Sequence, residues 1–87
     1  MISKLTNDEL EILRSIPIHS ILGLSNDGRK VKMKCPFHNE DTASFFIFPE
    51  NTYYCFGCAR GGYGSISFLV DLGYSFEESI QELEHYL

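Results

Sequence analysis

Cys35 and His38, then Cys55 and Cys58, form two Cys-x-x-(Cys/His) pairs with sixteen residues between them, and they use every cysteine in the chain. A structural zinc ion takes four soft or borderline ligands at tetrahedral corners, and two tight knuckles brought together by a folded hairpin supply that geometry. The first knuckle, Cys35-Pro36-Phe37-His38, has a proline that fixes φ early in its turn. The second, Cys55-Phe56-Gly57-Cys58, has a glycine free to take positive φ just before the last ligand. The expectation is one closed site of four protein ligands. Such a site leaves no position for water, so its metal contributes folding free energy rather than hydrolysis. Three scattered buried thiols and a surface histidine are the competing reading, which has no account of the matched spacings. A thiol redox switch at Cys55-x-x-Cys58 leaves the Cys35/His38 pair unexplained. Zinc is inferred from ligand type, and iron could occupy the same donors in a recombinant host.

The knuckles need a hairpin between them and helices around it. Thr6-Asn7-Asp8-Glu9 is a capping box that opens a helix with an apolar stripe of Leu10, Leu13 and Ile16, and Leu5 or Ile2 precedes the cap. Pro17 ends that helix and starts a short second one to Leu22, closed by Gly23. After a turn at Asn26-Asp27-Gly28, a strand is expected over Arg29–Lys34, a second over Ser44–Phe48, and a returning strand over Thr52–Cys55. Pro49-Glu50-Asn51 stops the second strand, and Gly61-Gly62-Tyr63-Gly64 reads as a flexible turn. A helix over Ser65–Leu72 presents Ile66, Leu69 and Val70, and Gly73 closes it. A second capping box, Ser75-Phe76-Glu77-Glu78, opens a last helix with Ile80 and Leu83 inward and Leu87 near its end. The fold class is therefore small α+β: a zinc ribbon, meaning an antiparallel sheet with one structural zinc, flanked by N- and C-terminal helices. One domain over residues 1–87 is expected, with helices at about 6–22, the ribbon at about 28–60 and helices at about 65–87.

With 87 residues the hydrophobic core is marginal, and a metal cross-link is a common remedy. The 44% hydrophobic and 14% aromatic content is globular, which excludes disorder. Three cysteines cannot all pair within one chain, which with the ligand spacing argues for a reducing cytosol, so the expected location is cytoplasmic. No apolar run reaches membrane-span length, and the N-terminal MISKLTNDELEIL lacks a signal-peptide layout, so no membrane role is expected.

The net charge of −5 conceals a division. Residues 68–87 hold five acids and no Lys or Arg, while Arg29, Lys30, Lys32, Lys34 and Arg60 cluster beside the metal ligands. Local distribution decides what a polyanion meets. Lys30, Lys32 and Lys34 alternate with Val31, Met33 and Cys35, so a strand puts the lysines on one face, about 7 Å apart. That row suits a phosphate backbone; it equally suits a solvated edge that discourages strand pairing.

The ensemble CPFHNEDTASFFIF, YYCFGCARGG, SISFLVDLG and YSFEESIQEL resembles the N-terminal zinc-binding domain of bacterial DnaG-type DNA primases. That family's signature runs as CPFH, E-x-T-P-S-F, C-F-G-C with a glycine pair, an apolar helix and S-F-x-E-A. IPIHSILGL and GRKVKMK also fit, so the likeness covers nearly the whole chain. Ala43 replaces the usual proline, Ala59 a glycine, and Tyr63 an acid, and one extra residue precedes the Ser65 helix; the ligands are intact. The resemblance places Phe45 and Ile47 in the core, which points Phe46 and Phe48 to the opposite face with Tyr54. Bases could stack there unless a helix covers the rings. Arg60, beside the second knuckle, is a further candidate for a phosphate or a base.

The resemblance implies binding of a single-stranded DNA template and help in initiating RNA primers during DNA replication. The implied partners are a primase polymerase domain, in cis or in trans, and the replicative helicase or other replication proteins. Neither a polymerase nor a helicase-binding domain fits in this length, so the chain reads as an excised domain or a small relative from a phage or mobile element. The alternative is a zinc-ribbon protein-interaction module of a phage or mobile-element replication protein, without DNA contact, docking through its acidic last helix. No catalytic residue is assigned, since no nucleophile–base pair or carboxylate cluster can be assembled. His19 is expected at the surface or at a cap, His85 at a helix C-terminus, and Glu40 or Asp41 beside the His38 ring.

Overall fold

A computed structural model describes residues 6–24, 28–39 and 42–87. The expected turn at Asn26-Asp27, the residues before the first cap, and Glu40 and Asp41 lie outside that set. The elements run α1 (Asn7–Arg14), α2 (Ile18–Ile21), β1 (Val31–Met33), β2 (Phe45–Ile47), β3 (Thr52–Cys55), β4 (Arg60–Tyr63), α3 (Gly64–Leu72) and α4 (Phe76–Glu84).

The four strands form an antiparallel sheet in chain order. Lys32, Phe46, Tyr54 and Gly61 lie in one cross-strand row, and Val31, Ile47, Tyr53 and Gly62 in the next. Because side chains alternate along a strand, this register sends the second row to the core and the first to the outer face. Phe45, Ile47 and Cys55 are fully buried, and Val31 and Met33 pack on the core from the sheet edge.

Two strands are shorter than expected, and β4 replaces the flexible turn read at Gly61–Gly64. Glycine has poor strand propensity, so Arg60-Gly61-Gly62-Tyr63 carries no local signal. Its conformation comes from pairing with Thr52–Cys55, hence from tertiary contact.

Helix α3 lies across the core face of the sheet. Phe68 meets Tyr53 at 5.4 Å, Phe37 at 5.8 Å and Phe45 at 6.0 Å between ring centroids, and Phe37 meets Phe45 edge-on at 5.4 Å. Phe37 comes from inside the first knuckle, so the metal-ligand loop is anchored in the aromatic core. Val70, expected inward, is exposed, and fully buried Phe68 fills the core instead.

Both capping boxes form as expected, on Thr6 and Glu9 and on Ser75 and Glu78. Their helices bury Leu13, Ile80 and Leu83, and His85 caps α4. Pro17 precedes α2 as its N-cap rather than starting its first turn. Gly64, at φ +88°, begins α3 so close to α1 that a Cβ there would lie 2.5 Å from Arg14 Cγ. Ser65 Oγ then donates to the Leu13 carbonyl at 2.7 Å, an acceptor near the end of α1 that also takes the Ile16 amide at 3.2 Å.

His19 is a correction. It is 1% exposed, because the single turn of α2 tucks both Ile18 and His19 inward, and neither ring nitrogen has a hydrogen-bond partner among the described residues. Asn51, read only as a strand stop, takes the left-handed conformation at φ 70°. Its side chain accepts from the Ile18 amide at 2.9 Å and donates to the Arg14 and Ile16 carbonyls, each at 3.1 Å. One amide therefore staples the β2–β3 turn to the break between α1 and α2.

Candidate metal centre and the adjacent sheet face

The ligand atoms of Cys35, His38, Cys55 and Cys58 all lie within 4.8 Å of one another. Cys35 and Cys58 Sγ are 3.9 Å apart, against about 3.8 Å for the edge of a tetrahedron with Zn–S bonds of about 2.3 Å. A disulfide needs about 2.0 Å, and none of the three cysteines forms one. The donor set and its spacing fit one zinc ion, with Cys35 and Cys55 buried and His38 and Cys58 toward solvent.

Backbone and side-chain donors prepare the sulfurs. The Phe37 amide donates to Cys35 Sγ at 3.3 Å, and Ser44 Oγ lies 3.5 Å from Cys55 Sγ. Burial pushes the Cys35 thiol up to about 11, and the crowding of Cys55 and Cys58 adds to it against the Phe37 amide. Burial also acts to raise Cys55, but bonds from Ser44, the Cys58 amide, Cys35 and the Gly57 amide outweigh it and lower the thiol to about 6. Cys35 therefore holds its proton more tightly than Cys55 does. A bound zinc ion supplies the positive charge that lets all three sulfurs remain thiolates, and a cross-link between the knuckles.

The expected role of Gly57 is corrected. The left-handed residue of the second knuckle is Ala59, at φ 58°, one position beyond Cys58, and Gly57 is not left-handed. Ala59 stands where the resemblance leads one to expect glycine, which is the residue that this backbone favours.

Beside the metal site, the outer face gathers most of the expected nucleic-acid residues. Phe46 and Phe48 stack at 6.1 Å with a 14° interplanar angle. They are half-buried against each other rather than under a helix, since α3 occupies the core face. Lys30 and Lys32 place their ammonium groups 5.4 and 5.8 Å from the Phe46 ring centre. Tyr54 is next in the row, and Arg29 and Lys34 are exposed just outside β1.

Arg60 does not join them. It pairs with Cys55 across β3–β4, so it points to the core side, where its guanidinium lies 5.7 Å from the Phe37 ring and 3.5 Å from Asp71. Asp71 also accepts from the Tyr53 hydroxyl at 2.5 Å, tying the second knuckle to α3. Phe56, to which no role was assigned, meets the outer-face cluster, with Phe46 at 5.5 Å and Tyr54 at 4.8 Å. Strand parity carried part of the signal: Phe46 and Tyr54 alternate with buried residues, and Phe56 follows buried Cys55 just past the end of β3.

A four-stranded ribbon clasped by Cys-His-Cys-Cys ligands and flanked by helices defines a zinc-ribbon domain. The family described as the CHC2 zinc finger matches residues 2–87, and the chain belongs to that family, the zinc-binding domain of DnaG-type DNA primases. The chain is 43% identical over 82 residues to the DNA primase of Chlamydia trachomatis, covering 86% of this chain and 14% of that protein. It is 39% identical over 79 residues to the DNA primase of Halalkalibacterium halodurans, covering 84% and 13% respectively. The crystal structure of the Aquifex aeolicus primase, comprising zinc binding and RNA polymerase domains, superposes with a TM-score of 0.71 at 31% identity, over 94% of this chain and 22% of that one. The chain thus spans about a seventh of the length of the curated relatives it matches. Among the described residues, no helix is long and apolar enough to cross a membrane.

Proposed function

We propose that this domain binds single-stranded DNA template through the outer face of its ribbon and assists primer initiation with a primase polymerase domain, in cis or in trans. The observation that supports it is the convergence of Lys30 and Lys32 on an aromatic cluster that, among the described residues, no helix covers. Cations suit the phosphates and rings suit the bases, and both lie on one surface beside the knuckles. The zinc is the clamp that ties the knuckle after β1 to the end of β3. Its four protein ligands leave the chemistry of nucleotide transfer to another domain.

Titration of a labelled single strand at several salt concentrations tests the proposal. Affinity should fall steeply with salt, and the joint change Lys30→Gln, Lys32→Gln and Lys34→Gln should reduce the log–log slope by about 2, at about 0.7 per phosphate contact. Absent or salt-indifferent binding by the folded, zinc-loaded protein would favour the protein-interaction reading instead.

A further inference from the structure

Resting on that reading of the outer face, we propose that Phe56 is its base-stacking residue, while Phe46 is a platform that holds Lys30 and Lys32 for the phosphates. The Phe46 ring is already enclosed. Phe48 stacks beside it, the Phe56 ring meets it at 87°, and two ammonium groups sit within 6 Å of its centre. A base stacking on that ring would compete with the two lysines, which would cost the site its cations where phosphates need them.

Phe56 is in the opposite situation. The residue is 68% exposed, against 36% for Tyr54. Yet it is not loose: Phe46 and Tyr54 both contact it at steep angles, 87° and 71°, fixing the plane of the ring while leaving much of it to solvent. An aromatic ring oriented in advance loses little side-chain freedom on stacking. It is also carried by the second knuckle, between ligands Cys55 and Cys58, so the metal site fixes its backbone. Phe46 touches both groups, so phosphate-binding cations and base-binding ring meet at one phenyl.

The test compares two fluorescein-labelled probes of equal length, a mixed-sequence single strand and an abasic strand, by anisotropy. Phe56→Ala should weaken mixed-strand binding about 5- to 100-fold, with an unchanged salt slope and unchanged affinity for the abasic strand. Phe56→Leu, which keeps apolar bulk but has no ring, should behave in the same way. The Lys30→Gln, Lys32→Gln pair should reduce the slope by about 1.4 on both probes. Zinc content and thermal unfolding establish that each variant is folded. If Phe56→Ala binds the mixed strand like wild type, or weakens both probes equally, or if Phe46→Ala alone removes the base-dependent part, the assignment falls and template binding stands. If zinc-loaded wild type binds neither probe, both fall.

Discussion

Gly61 lies beneath the ring of Tyr54. A Cβ at position 61 would sit 2.6 Å from Tyr54 Cδ1 and 2.6 Å from the Tyr53 carbonyl oxygen. The pair explains why a residue of poor strand propensity occupies β4: the ribbon needs a bare backbone for the tyrosine to lie on. Since one of the two clashes is with main chain, it cannot be relieved by a rotamer change. Gly61→Ala should destabilise the zinc-loaded domain by about 1–3 kcal/mol, read as a lower thermal midpoint.

Asn51 should be the most sensitive polar residue outside the metal site. Asn51→Ala removes three hydrogen bonds and forces an alanine into the left-handed region, so a loss of about 2–4 kcal/mol is expected in urea unfolding. Asn51→Gly loses the bonds but suits the backbone, and should recover about 1 kcal/mol of that.

Ala59 offers the reverse case. Its positive φ is strained for a residue with a Cβ, and it stands at a position where a glycine fits. Ala59→Gly should stabilise the domain by about 0.5–1 kcal/mol without changing zinc content. A lower midpoint in thermal unfolding would contradict this.

Tyr53 gives the domain an alkaline limit. Burial, and then the Asp71 carboxylate to which it donates, raise its phenol well above the usual tyrosine range. The folded state therefore holds this proton more tightly than the unfolded chain. The contribution is complete below the ordinary value of about 10 and is lost as pH rises above it toward the folded value. Urea unfolding of wild type and Tyr53→Phe between about pH 8 and 11 should show their stability difference shrinking at the alkaline end. A constant difference would contradict the assignment.

Local patterns were legible in the chain, and long-range ones were not. The ligand knuckles, the two capping boxes and the strand parity of Lys32 and Phe46 are each set by residues a few positions apart. Their physics is complete within a turn or a strand. Asn51 bonds to partners 33 to 37 residues away, and no local rule exposes that. β4 exists only because Tyr53 and Tyr54 provide something to pair with. Arg60 was grouped with the nucleic-acid residues because it is basic and near the ligands, whereas its register with Cys55 sends it to the other face. His19 shows the same limit: a polar residue on a one-turn helix is buried by packing that its own neighbours do not encode.

The most direct test measures single-strand binding by one preparation in three states: zinc-loaded, chelator-treated, and reloaded with zinc. If the metal clasps the knuckles that set the outer face, the loaded protein binds, chelation abolishes binding together with cooperative unfolding, and reloading restores both. A chelated, metal-free protein that unfolds cooperatively and binds the strand as before would contradict the account.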